Sequence, residues 1–297
     1  MKQLNIVVLA VFILASCNRT KQSPQPTGIM TTSATDTTAF KSGYSEVNGL
    51  RMYYEIYGQG KPLVLIHGGG STIQSSFGRI IPVLARNRQV IAVEMQAHGR
   101  TGDRTTDLTF EQDADDIAAL LKNLGIPKAD ILGFSNGATT TLQIAIRHPG
   151  IAGKIILGSP LSKRSGVPAP FWDFMKQASL DNMPTALKES YILVNPDTNG
   201  LQVMHDRDAK RMVNFKDIPD EQLRNIKTPA LIIIGDQDVI TPQHALEMHS
   251  LINGSRLAII PGAHGEYIGE ITTLRPGFTE ASFATPMIEQ FLDSQVN

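Results

Sequence analysis

With 297 residues, of which 41% are apolar, the chain is long enough for one large α/β domain or two small ones and rich enough in apolar side chains for a packed core. That excludes a disordered or fibrous protein. Lys and Arg number 27 against 28 Asp and Glu, and the formal net charge of −1 creates no global field to recruit nucleic acid or an anionic membrane; no nucleic-acid partner is expected.

The first segment differs from the rest. Lys2 is followed by the apolar run LNIVVLAVFILA, too short for a comfortable bilayer span and suited to an export signal. It ends in Leu14-Ala15-Ser16-Cys17, which resembles the bacterial lipobox, whose cysteine thiol accepts a diacylglycerol. Cys17 is the sole cysteine, so it has no internal disulfide partner. Residues 1–17 are therefore expected to be a lipoprotein signal and residues 18–43, rich in Ser, Thr, Pro and Gln, a flexible tether. The expected location is exported and membrane-anchored through Cys17, facing the periplasm.

The folded domain is expected over 44–297. YSEVNGLRMYYEIYG has Asn48-Gly49 between alternating β-formers, a two-residue hairpin signal. PLVLIHGGG, QVIAVEMQ, KADILGF, AGKIILGSP and ALIIIGDQD read as strands buried on both faces. Before KADILGF, Phe110, Ala114, Ile117, Leu121 and Leu124 recur at helical spacing behind Thr109 as N-cap, with Asp113, Asp115 and Asp116 turned mostly toward water. This alternation predicts an α/β fold: a mostly parallel central sheet with helices on both faces and ligand sites beyond the carboxyl ends of the strands.

Gly133-Phe134-Ser135-Asn136-Gly137 follows one such strand and precedes a helix ending near Pro149. This is the G-x-S-x-G pattern, in which a sharp turn lifts a serine above the sheet and sets the next helix N-terminus under the reacting carbonyl. A serine nucleophile needs a base, and the base an orienting carboxylate. Asp236 and Asp238 lie just beyond one buried strand and His264 just beyond the last; spacing alone does not choose between the two aspartates. His148, His205, His244 and His249 occupy helical or capping contexts and read as structural.

In this order of serine, acid and histidine, from about Tyr44 to about Leu292, the chain resembles the α/β-hydrolase family. The resemblance implies Ser135 as nucleophile, Asp238 as orienting acid with Asp236 in a turn, and His264 as base. It also implies an oxyanion hole from the Asn136 N–H and an N–H of HGGG, Gly69 first and Gly70 next, with His67 fixing that loop. The histidine loop departs from the family's usual Pro-Gly-x-Gly-His, reading Pro261-Gly262-Ala263-His264-Gly265.

The family inserts a helical cap at about 161–227, where Phe171, Trp172, Phe174, Met175, Met183, Met204, Met212 and Phe215 occur. Of these, Phe171 and Trp172 are the leading pocket candidates, joined by Gly70 and Phe134 from the loops; most of the rest are expected to pack the cap itself. Glu94, His98, Asp103 and Asp107 match no metal-ligand spacing, and no phosphate-binding glycine pattern occurs, so neither metal nor cofactor is expected. The implied activity is cleavage of an ester-like bond in a small or medium-sized molecule through an acyl-enzyme. Lactone, amide or carbon–carbon bond cleavage on the same residues remains open, as does a non-catalytic binding lipoprotein. Serine at the elbow speaks against the family's dehalogenase and epoxide hydrolase branches, which use aspartate there.

Overall fold

The computed structural model of the chain describes residues 39–274 and 284–295. The export signal, Cys17 and most of the expected tether lie outside the described residues. The hairpin of β1 (Phe40–Val47) and β2 (Leu50–Tyr57) turns at Asn48 and Gly49, both at positive φ, as a two-residue turn requires. Residues 40–43, expected to be tether, pair in register with Tyr54 to Tyr57. Composition read them as tether because their stabilising partners lie on another strand.

The chain continues through β3 (Lys61–Ile66), α1 (Ile73–Phe77), α2 (Ile81–Leu84), β4 (Arg88–Val93), α3 (Phe110–Asn123), β5 (Ala129–Phe134), α4 (Asn136–Arg147) and β6 (Ala152–Gly158). Four helices then depart from the strand and helix rhythm: α5 (Ala169–Lys176), α6 (Thr185–Val194), α7 (Thr198–Val213) and α8 (Asp220–Arg224). They fill the interval in which the cap is expected. β7 (Ala230–Gly235), α9 (Pro242–Leu251), β8 (Arg256–Ile260) and α10 (Thr285–Asp293) complete the described fold.

Among the described residues eight strands form one sheet in the order β1-β2-β4-β3-β5-β6-β7-β8. β1–β2 and β2–β4 pair antiparallel and every later pair is parallel. Side chains alternate across the sheet. Val64, Ile66, Ile131 and Ile232 meet α3, α4 and α9 on one face, while Leu63, Leu65, Leu132 and Ile233 meet α1, α2 and α10 on the other. Strands covered on both sides read as continuous apolar runs, and each buried Leu or Ile contributes roughly 1.5–3 kcal/mol. Among the described residues no helix is long and apolar enough to cross a membrane.

The expectation for the acidic run in α3 is corrected. Asp113 and Asp116 are buried, and only Asp115 is partly exposed. Asp116 accepts from Arg104, Gln112 and the Asn48 side chain, and Asp113 pairs with Arg211 of the cap at 2.7 Å. Helical spacing cannot reveal cationic partners supplied from distant parts of the chain. Thr109 caps α3 as expected, accepting from the Gln112 N–H.

Candidate active site

Ser135 joins β5 directly to α4 at φ 54° and ψ −118°, outside every comfortable well for an L-residue. Its N–H is held by the Gly158 carbonyl at 2.8 Å. The flanking glycines are dictated by close approach: a Cβ on Gly133 would lie 2.1 Å from the Gly137 carbonyl oxygen, and one on Gly137 would lie 2.0 Å from that of Ile66. The turn is thereby compressed until the serine hydroxyl stands above the sheet.

His264 lies in the loop after β8, between Gly262 (φ 135°) and Gly265 (φ 82°), whose left-handed angles provide the path left open by the displaced glycine. Its Nε2 is 3.0 Å from Ser135 Oγ and its Nδ1 is 2.7 Å from Asp238 Oδ1. The Phe134 ring packs 4.9 Å from the imidazole. Asp236 instead accepts the Gly262 N–H at 2.9 Å, tying together the loops that carry Asp238 and His264. Of the two aspartates left open by spacing, Asp238 is the one in contact with His264.

The Asp238 side chain is fully buried. Burial alone would raise its pKa, but the His264 charge and hydrogen bonds from His264, Ser159 and the Ile240 N–H hold it below the usual carboxylate range. For His264 burial acts downward, and Asp238 overrides it to raise the imidazole pKa. Two residues that sequence reasoning missed stand behind the acid. Ser159 Oγ donates to Asp238 Oδ2 at 2.6 Å, and the buried Tyr267 hydroxyl lies 2.6 Å from Ser159 Oγ. Ser159 directly follows β6 with φ 52°, much as Ser135 follows β5, so its place just beyond a strand end was the available signal.

The HGGG loop runs beside the serine turn. His67 Nδ1 donates to the Gly68 carbonyl at 2.7 Å and its Nε2 accepts the Met95 N–H at 3.1 Å, which defines a neutral tautomer and a loop-fixing role. Burial pushes its pKa down to about 3. Gly70 donates its N–H to Asp208 of α7 at 2.6 Å, so its expected place as second choice for the oxyanion hole is corrected: that donor is occupied. Among the described residues the N–H groups of Gly69 and Asn136 have no protein acceptor.

A cavity of about 280 Å³ opens over Ser135, His264, Gly69, Gly70 and Asn136. Phe171, Phe174, Met175, Met183 and Met212 line it from the cap, and Leu161, Val167, Leu187, Val239 and Ile240 add further apolar surface. Trp172 is not among the lining residues, contrary to expectation. Its indole donates to the Arg164 carbonyl at 2.9 Å and its ring is packed between Arg164 and Phe215, one helical step away from the cavity. Phe134 likewise lies outside the lining, supporting His264, while Met204 and Phe215 belong to the packing of the cap.

Glu94 binds Arg100, Asp103 binds Arg207, Asp107 binds Lys210 and His98 binds Asp208, so the acidic and histidine side chains of the loop after β4 serve separate partners. Asp208 and its surroundings were not legible in advance. An aspartate in a cap helix carries no motif.

A family profile described as the alpha/beta hydrolase fold matches residues 61–204. Human "Serine hydrolase BPHL" is 28% identical over 244 residues, covering 78% of this chain and 82% of that protein. The "2-hydroxy-6-oxo-6-(2'-aminophenyl)hexa-2,4-dienoic acid hydrolase" of Metapseudomonas resinovorans is 23% identical over 243 residues, covering 75% and 84%. Among solved structures, the CarC serine hydrolase involved in carbazole degradation superposes with a TM-score of 0.69 at 22% identity, over 86% of this chain and 99% of that one. The chain has the α/β-hydrolase fold, with the helical cap inserted between β6 and β7.

Proposed function

We infer that this protein of the α/β-hydrolase fold is a serine hydrolase that cleaves an ester-like bond in a small, apolar substrate through an acyl-enzyme. The observation that carries the reading is the unbroken contact from Ser135 Oγ through His264 to Asp238, at 3.0 and 2.7 Å, on the floor of a mainly apolar cavity.

Ser135 Oγ attacks the carbonyl carbon as His264 Nε2 takes its proton. Asp238, already ionised, stabilises the imidazolium. Negative charge then gathers on the former carbonyl oxygen, where the Gly69 and Asn136 N–H groups and the N-terminus of α4 receive it. His264 returns the proton to the leaving alcohol, and water, activated by the same base, releases the acid. No step calls for a cofactor.

Cavity chemistry favours a neutral ester over an acidic substrate such as the dienoic acid named for the Metapseudomonas relative. Among the described residues no Lys or Arg lines the cavity, and its one carboxylate, Asp208, is engaged by Arg211, His98 and Gly70. An anionic substrate would be desolvated there with no Lys or Arg opposite it, and the one lining imidazole besides His264, His205, already faces Asp206 at 3.0 Å.

The test is fluorophosphonate labelling and turnover of short-chain p-nitrophenyl esters by the wild type and Ser135→Ala. Labelling is expected to vanish in the variant and kcat to fall by roughly 10⁴-fold or more. A folded wild type that neither labels nor turns over points to a binding protein instead. The same proposal assigns residues 1–17 to a lipoprotein signal, Cys17 to lipidation and the following residues to a tether holding the domain at the periplasmic face of a membrane. Cys17→Ala should then lose metabolic labelling with a fatty-acid probe and partition into the aqueous phase of a detergent extraction; unchanged behaviour rejects the anchor.

A further inference from the structure

We propose that Asp208, on the cap, is a positioning residue for the oxyanion hole, so that correct orientation of the Gly69 N–H depends on the seating of the cap. This rests on the serine hydrolase reading above.

His67-Gly68-Gly69-Gly70 has little side-chain substance to hold it, and two of its peptide planes meet at the Cα of Gly69. A trans peptide is planar, so fixing one of its polar groups fixes the other pointing the opposite way. The plane containing the Gly69 N–H is fixed through the Gly68 carbonyl, which accepts from His67 at 2.7 Å. The next plane is fixed through the Gly70 N–H, which donates to Asp208 Oδ2 at 2.6 Å. One tether comes from the body and the other from α7 of the cap.

Asp208 is itself rigidly held. His98 Nε2 approaches Oδ2 at 2.8 Å, and Arg211 binds Oδ1 while reaching Asp113 of α3 at 2.7 Å. His98 Nδ1 faces the Gln96 carbonyl at 2.8 Å and must carry a proton; its Nε2 faces a carboxylate and carries one as well. His98 is therefore an imidazolium, and the 3.3 Å approach of Gly70 N to His98 Nε2 is a contact rather than a hydrogen bond.

These charges solve a problem that Asp208 creates. A carboxylate beside the oxyanion site would repel the negative charge that develops in the transition state. The flanking cations of His98 and Arg211 cancel that field, so the loop gains a strong charge-assisted tether without a net anion in the cavity wall. The balance predicts a reversal: removing Arg211 alone leaves the carboxylate exposed electrostatically, and neutralising Asp208 as well relieves part of the damage.

The experiment measures kcat, KM for a neutral p-nitrophenyl ester and Ki for a trifluoromethyl ketone, which forms an oxyanion on Ser135, in the full chain. Asp208→Asn keeps the shape and an acceptor for Gly70 but loses the charge. It should lower kcat about 10- to 100-fold and raise the Ki in parallel, with KM within about threefold of wild type. Arg211→Met should lower kcat further, and Asp208→Asn combined with Arg211→Met should recover part of that loss. Asp208→Glu, which displaces Gly70 instead of releasing it, provides the same readout if the asparagine variant fails to fold. Wild-type kcat and Ki in a folded Asp208 variant, or a double variant showing the product of the two single losses, would overturn the proposal. Absence of Ser135-dependent turnover in the wild type would instead reject the underlying hydrolase reading.

Discussion

The sheet body and the cap are held by different forces. The body is a layered apolar assembly whose strands are buried on both faces and whose turns are forced by glycine. The cap adds a small apolar cluster around Met183, Tyr191, Leu201 and Met204, its Trp172, Met212 and Phe215 join the body's own core, and α7 is further pinned to the body by charge: Arg207 to Asp103, Lys210 to Asp107, Asp208 to His98 and Arg211 to Asp113. The first two pairs are solvent-accessible and contribute at most about 1 kcal/mol each. The inner two are buried, and breaking either strands an unpaired charge. The body thus supplies the triad, while the cap supplies a shaped wall whose attachment adds specific charge pairs to apolar packing.

The sharpest test of that division lies in the body. Asp238→Asn should lower kcat by about 10⁴-fold with little change in KM, because the imidazole loses both its orientation and its counter-charge. The pH profile of kcat/KM sharpens the point. His264 acts as a base only when neutral, and Asp238 raises its pKa, so activity should be lost as pH falls through a value above the ordinary 6.5 of histidine. In Asp238→Asn the remaining activity should show that acid limb at lower pH; an unmoved limb would mean that another group controls it.

A smaller effect belongs to the cap. Met212 lines the cavity from α7, and Met212→Ala should shift the kcat/KM ratio of a longer to a shorter acyl ester by about 10-fold in favour of the longer. A uniform loss across chain lengths would break the comparison, because Met212 would then act on the catalytic geometry and not on the shape of the wall.

The same division decided what could be read from the sequence. Strands buried on both faces announce themselves as apolar runs, and the elbow glycines are fixed by backbone collisions that leave no alternative residue. The order serine, acid, histidine was legible because each follows a strand end, but Asp236 and Asp238 both follow β7 and only the family resemblance favoured Asp238. In the cap, helical spacing identified apolar side chains but not their neighbours: Phe171 and Met212 reached the cavity while Trp172 turned to Arg164 and Phe215. Asp113 and Asp116 looked solvated because their partners, Arg211 and Arg104, approach from separate elements. Asp208 was illegible for the same reason, since its meaning lies entirely in what the fold brings to it.

The hydrogen-bonded series Tyr267, Ser159, Asp238, His264 and Ser135 has a spectroscopic consequence. Its central proton, on His264 Nδ1, sits 2.7 Å from a carboxylate oxygen whose side chain water does not reach. Such a proton is strongly deshielded and slow to exchange, and its resonance should stand far downfield of the amide envelope. Acylation of Ser135 at the other ring nitrogen would displace that line, making one proton a reporter of site occupancy that needs no chromogenic substrate.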